Sequence, residues 1–501
     1  MSPTPPATSR RPLILLCIML SLFMAAIEAS IVATVLPQIV AKLGGFALYS
    51  WVAAGFLLTQ TATTVLFGKL SDIYGRKPVI VGGTIIFLIG SALCGLAWSM
   101  GSLIAFRLLQ GIGAGSMQPV AVTIAGDIYT PRERLKIQAA LSGVWAFAAI
   151  VGPVAGGLIV EKLSWSWVFW INIPFGILTV LGFIFLMHED IAHKKHRIDY
   201  LGASLFSIAV GAFMIALTQG PTLTPSQILA FVLISVAGAW LFVIVERRAA
   251  EPMIALDLWG DRLLASANGA LLSGMMALAG ITFFLPLYFQ GVLGFSPVTA
   301  GFPLSVMLFS WPLASSVSGR ILKHFSMRAT LRAGGLLIPV GAVFLLFLRP
   351  GSNLVIAGIG PALMGFGMGL LNIVAMIMVQ ASVQWSKRGS ATASLIFSRT
   401  LGNTLGAAAL GAILNFGVVM YAKVEGAAEA ATPDHVRALL TSIGDIAGGG
   451  SEPGLQAVLN QALHLAFWAM LAFAVIAAAL SLLVPAKDLE SLSGEVRTEQ
   501  A

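Results

Sequence analysis

Apolar runs of at least about 18 residues recur along the whole chain, and no other feature restricts its possible folds so severely. A backbone in lipid must satisfy its own hydrogen bonds. A helix does so within one segment, and the short alternating strands of a membrane barrel are missing from the pattern. With 58% hydrophobic and only 10% charged residues, the chain also has too few polar side chains to cover a water-soluble surface. These features predict an all-α polytopic membrane protein.

Breaking the runs at charged or Pro/Gly punctuation predicts about fourteen spans, near 13–39, 49–69, 78–99, 102–127, 137–160, 166–188, 200–218, 227–246, 263–293, 297–319, 329–348, 354–382, 390–416 and 463–485. An even number puts both termini on one side. Basic residues collect there, among them Arg10, Arg11, Arg76, Lys77, Arg132, Arg134, Lys136, Lys194, Lys195, Arg247, Arg248 and Arg328, while only Lys42, Lys162, Arg349, Lys423 and Arg437 fall opposite. The positive-inside bias therefore predicts a multi-pass protein of the plasma (cytoplasmic) membrane with both termini in the cytoplasm. Arg10 and Arg11 ahead of an apolar run imitate a secretory signal, but the run continues to about Ile39 and reads as a retained span. The net charge of +8 is scattered between runs without a continuous patch, so no nucleic acid is expected as a partner.

The charged stretch Gly68–Val79, GKLSDIYGRKPV, joins the second and third spans, and a weaker copy, GRILKHFSMR, begins at Gly319. Lys323 stands where Asp72 would, so the acid is not repeated. The repeat supports two halves of six spans, with an extra pair at 200–246 between charged connectors. The expected organisation is a tail over 1–12, a first bundle over 13–188, an inserted pair within 189–262, a second bundle over 263–486 and a tail over 487–501. Within the second bundle, 418–462 is expected as a long extracytoplasmic loop, with a short helix capped by Asp434.

Glu28 is the one carboxylate well inside an apolar run, and an intramembrane acid points first to ion or proton handling. By helical rise it sits roughly 15 Å below the outer end of its span and Arg107 roughly 8–10 Å below the end of its own, near enough in depth for the two to pair. A structural ion pair between helices is the alternative. In the fifth run, around VGPVAGG (151–157), Ala148, Gly152 and Gly156 leave one helix face nearly bare and Pro153 predicts a kink. That face serves either a functional contact or simple packing. Arg399 is a second intramembrane cation without an acid nearby in sequence. It is expected to bind helix-end carbonyls, to meet an anionic substrate group, or to snorkel. Gln60, Gln110, Asn268, Gln290, Asn372 and Asn403 are further intramembrane polar groups, divided between cavity lining and interhelical hydrogen bonds. Gln60, Gln290, Asn372 and Arg399 are the candidates for a substrate cavity. Cys17 and Cys94 read as packing residues, and no metal site is expected.

Taken together, the motifs resemble the fourteen-span drug/proton antiporter family of the major facilitator superfamily. GKLSDIYGRK is similar to that superfamily's loop between its second and third spans. IEASIVATVLPQI (27–39) resembles the family's first-span signature with Glu28 at the acidic position and Ser30 where threonine is commoner. LIAFRLLQGIGAG (103–115) carries Arg107 at the fourth-span basic position, and VGPVAGG matches the fifth-span antiporter motif. WSWVFWINIPFG (165–176), with Ser166 replacing the usual arginine, and Asp199-Tyr200-Leu201-Gly202 complete the series. The resemblance implies a major facilitator fold of two six-helix bundles plus two inserted helices. It implies proton coupling at Glu28 and Arg107, and an antiporter contact through Gly152, Pro153, Gly156 and Gly157. It further implies a cytoplasmic gate of Gly68, Asp72, Gly75, Arg76 and Lys77, joined by Asp127.

The expected function is a proton-coupled multidrug exporter of lipophilic or amphipathic compounds. The alternative is an exporter of a specific metabolite, lipid or siderophore on the same fold. No cofactor is expected, only the proton gradient, because no P-loop is present. The six histidines are dispersed and no H-E-x-x-H, C-x-x-C or selectivity-filter sequence occurs, which argues against an enzyme or a channel. The expected partners are membrane lipid, protons and small lipophilic substrates, and the protein is expected to act as a monomer.

Overall fold

The computed structural model describes residues 11–129, 131–187, 200–218, 223–248, 259–383, 388–424 and 453–485. They form α1 (Arg11–Leu43), α2 (Tyr49–Tyr74), α3 (Arg76–Gly95), α4 (Met100–Ile128), α5 (Pro131–Lys162), α6 (Trp167–Trp170), α7 (Asn172–Leu186), α8 (Tyr200–Thr218) and α9 (Pro225–Arg248). The second part of the chain adds α10 (Arg262–Phe283), α11 (Leu285–Gly291), α12 (Pro297–Ala300), α13 (Phe302–His324), α14 (Met327–Leu346), α15 (Leu354–Ser382), α16 (Arg388–Val424) and α17 (Pro453–Leu482). No strand occurs among the described residues.

Among those residues, thirteen helices are long and apolar enough to cross a membrane. α4 is not one of them, although at 29 residues it has the length. Arg107, Gln110, Gln118 and its glycines dilute its apolarity; with α4 included, the helices match the fourteen expected spans. Three expected spans are broken in two, at Ile171, Phe284 and Gly301. Each break lies just ahead of a proline, Pro174, Pro286 or Pro303, whose missing N–H suits the first turn of a new helix. α16 and α17 reach into the stretch expected as a long loop, to Val424 and from Pro453. Asp434 and its expected short helix lie outside the described residues, as do both tails and the connector 188–199.

The described residues form two compact units. The first takes those up to Arg248 together with Thr282–Ser305 and those of Ala407–Ala466; the second takes those of Ile254–Ile281, Val306–Gly406 and Phe467–Ala501. In the first, α4 lies against both α2 and α3 because its glycines remove the side chains that would keep them apart. A Cβ at Gly111 would strike the Phe56 carbonyl and Thr59, and one at Gly113 would strike the α3 backbone at Phe87. Thr59 then donates to the Leu108 carbonyl at 2.8 Å and Thr63 to that of Ile112 at 3.2 Å, which fixes the α2–α4 register. α1 packs against α4, α5 and α7, burying Ile18 and Leu22 beside Val120, Ile124 and Phe183. Within this unit α8 packs against α2 and α9, and α9 is exposed along most of its length. In the second unit α14 and α15 approach through Gly334, Gly341, Gly360 and Gly367, where carbonyl oxygens fill the space a Cβ would need.

Candidate functional site

Glu28 sits at the middle of α1 and is fully buried. α4 brings Arg107 to it, 3% exposed, and Arg107 Nη1 donates to Glu28 Oε1. The same nitrogen donates to Gln110 Oε1 at 2.6 Å, one turn further along α4. Arg107 Nε reaches across to the Val52 carbonyl of α2 at 3.0 Å, and the guanidinium lies 4.1 Å from the centre of the Phe56 ring. The second carboxylate oxygen, Glu28 Oε2, accepts from Asn172 Nδ2 at 2.6 Å. Asn172 lies in the first turn of α7, where the break at Ile171 turns the chain inward. Gln110 Nε2 donates in turn to Ser91 Oγ of α3 at 2.7 Å, and Cys94 Sγ lies 3.7 Å from Gln110 Oε1.

A buried polar network thus joins α1, α2, α3, α4 and α7 around one carboxylate and one guanidinium. Such a pair persists in a low-dielectric interior only when further hydrogen bonds satisfy what the pair leaves over. Asn172 Oδ1 is the exception: it is buried and without a hydrogen-bond partner. The arrangement can hold one charge pair or one proton, with Arg107 retaining Val52, Gln110 and Phe56 as partners if Glu28 is neutral. Among the described residues no three His, Cys, Asp or Glu side chains gather closely enough to hold a metal ion.

The expected gate residues separate into several placements. Gly75 takes φ 93° between α2 and α3, a conformation that favours glycine, and so makes the turn. Arg76 Nε lies 3.0 Å from Asp127 Oδ2, linking α3 to the end of α4, and Lys77 donates to the Ile184 carbonyl of α7 at 2.8 Å. The Asp72 side chain lies outside the described residues. A Cβ at Gly68 would meet nothing within 4 Å, so no neighbour requires a glycine there.

The glycine face of α5 meets two neighbours. Gly152 and Gly156 lie against Ser30, Ile31 and Val35 of α1, and Ser30 Oγ donates to the Ala148 carbonyl at 3.2 Å. Pro153 and Gly157 face the other way, against Gly301 and Val298. Gln290 corrects an expectation. It is 2% exposed, donates to the Thr34 carbonyl at 2.9 Å and accepts from Gln38 at 3.4 Å, so its amide is taken up in tying α11 to α1. Asn268 likewise serves helix contact, accepting from Ser394 and Ser398 of α16. Gln60, Asn372, Arg399 and Asn403 are partly exposed. Sequence reasoning gave Asn172 and Ser91 no role. Asn172 stood inside the quoted WSWVFWINIPFG segment, which offered the one available pointer.

A family model described as Major Facilitator Superfamily matches residues 18–407. The chain is 32% identical over 410 residues to "Multidrug transporter protein MdtP" of Bacillus subtilis (strain 168), covering 81% of this chain and 76% of that one. It is 33% identical over 405 residues to "Multidrug resistance protein 3" of the same organism, covering 80% and 79%. Among solved structures it resembles the inward-facing, unoccupied form of a bacterial homologue of the human lysosomal transporter Spinster, with a TM-score of 0.69 over 95% of this chain and 97% of that one, at 19% identity.

Proposed function

The chain belongs to the major facilitator superfamily, and from that premise we propose that it is a multidrug exporter that trades protons for lipophilic or amphipathic compounds by alternating access. It is a multi-pass membrane transporter. The observation that carries the proton-coupled reading is the fully buried Glu28, held between Arg107 and Asn172. An ionised carboxylate at this depth depends on both partners, and its charge is lost on protonation while Arg107 keeps its other contacts. A group with two tolerable states is what a proton carrier requires.

In this reading the proton gradient is the energy source, without a cofactor, and the termini and the Gly68–Val79 loop face the cytoplasm. Arg76, Lys77 and Asp127, with Asp72, gate the cytoplasmic side. Gly152, Pro153, Gly156 and Gly157 hold the contact of α5 with α1 and α12. The partners are lipid, protons and small lipophilic compounds, and the working unit is a monomer.

Purified protein in liposomes with an imposed pH gradient tests this directly. Uptake of several unrelated lipophilic dyes should follow the gradient in the wild type and fall to background in Glu28→Gln. Gradient-driven movement in Glu28→Gln at wild-type stoichiometry would remove Glu28 from the coupling step. Transport confined to a single metabolite, lipid or siderophore would replace the multidrug reading with that of a dedicated exporter.

A further inference from the structure

Arg399 differs from two other arginines of its unit. Arg328 and Arg332 donate to the Val484 and Leu482 carbonyls beyond and at the end of α17. Among the described residues no hydrogen bond or ion pair reaches the Arg399 guanidinium, and no acid lies close enough to act on it electrostatically. It lies eleven residues into α16, about 16 Å along the axis from the helix start, and within the apolar span Ser394–Ala422. Arginine cannot shed its charge to suit such a place.

The direction it faces follows from exposure along two helices. No described side chain of α16 between Ala391 and Asn415 is exposed, and none of α15 between Gly360 and Ala381. Both are interior helices, unlike the lipid-exposed α9. Each nevertheless carries half-open positions, and the polar ones among them fall in rows at helical spacing: Thr392, Arg399 and Asn403 with Ile396 on α16, and Asn372 and Gln380 with Met376 on α15. Gln380 Nε2 donates to Thr392 Oγ1 at 3.0 Å, tying the rows together at one end. From that bond Arg399 lies about 10 Å along α16 and Asn372 about 12 Å along the oppositely directed α15, so they reach one level. Asn372 and Asn403 also have no hydrogen-bond partner among the described residues.

We propose that Arg399, with Asn372 and Asn403 as amide donors, binds an acidic group on the transported compound, so that the protein's cargo includes amphipathic organic acids. The guanidinium offers paired N–H donors to a carboxylate or sulfonate, and the two amides can supply the remaining hydrogen bonds. Ile396 and Met376, between the polar residues of the rows, suit the apolar body of such a molecule. This substrate class rests on the exporter reading above, but the site itself is testable without transport.

The test uses labelled naphthalene-acetate and its uncharged analogue naphthalene-acetamide, bound to the full chain in nanodiscs of phosphatidylcholine alone. The wild type should bind the acid at least about ten-fold more tightly than the amide. Arg399→Gln should bring that ratio close to one, and Arg399→Lys should recover part of it. Because the ratio is read within one preparation, loss of folded protein does not imitate the result. An acid-to-amide ratio unchanged in Arg399→Gln would overturn the proposal. So would a ratio that collapses when phosphatidylglycerol is added, accompanied by a co-purifying acidic lipid that Arg399→Gln loses, since the ligand would then be a lipid headgroup. If the ratio behaves as expected but proteoliposomes move neither compound, the site stands and the exporter reading fails.

Discussion

Glu28 and Arg107 each make the other tolerable. Removing only the cation leaves the carboxylate buried without its charge partner, so Arg107→Ala should destabilise the protein by about 3–5 kcal/mol. The double variant Glu28→Gln/Arg107→Met should recover much of that loss, and thermal unfolding in detergent compares the two. Both residues were legible in the sequence because an intramembrane charge is rare. Asn172 and Ser91 were not, since neutral polar side chains are common in such helices and only the fold shows which ones converge. Gln290 was misread for the same reason: an amide inside an apolar run looks alike whether it lines a cavity or ties two helices.

At the scale of elements, α5 shows how a face without side chains does work. Gly156 leaves no room beside Ile31 and Val35, so Gly156→Leu must separate α5 from α1 and should destabilise by about 1–3 kcal/mol. Ser30→Ala removes one interhelical hydrogen bond from the same contact and should lose only about 0.6 kcal/mol. Chemical or thermal unfolding of the two variants should rank them in that order, and equal effects would mean that the contact rests on the hydroxyl. The bare face was visible in the sequence as a four-residue recurrence. Its two-sidedness was not, because Gly301 and Val298 lie well over a hundred residues away along the chain.

For the whole molecule, stability and conformational balance rest on different residues. Arg76 and Asp127 are partly exposed, and such pairs contribute at most about 1 kcal/mol to stability. Arg76→Ala should therefore leave the unfolding temperature nearly unchanged while shifting inward and outward populations in a double-label distance measurement. Unaltered populations would mean that the pair does not gate. The number and order of helices followed from the apolar runs, whereas the interruptions at Ile171, Phe284 and Gly301 needed the packed structure to become visible. α4 carries a consequence for how the protein is made. An arginine costs about 2.5–3.5 kcal/mol at a helix centre on translocon scales, and Arg107 in the second turn of α4, with Gln110 and Gln118, leaves α4 poorly equipped to partition into lipid by itself. It should be retained in the bilayer only after α1, α2 and α3 have emerged to receive its guanidinium and amide. A glycosylation reporter should find isolated α4 largely translocated and α4 within α1–α4 fully integrated, making biogenesis of the buried Glu28–Arg107 pair a matter of the order in which the ribosome delivers its parts.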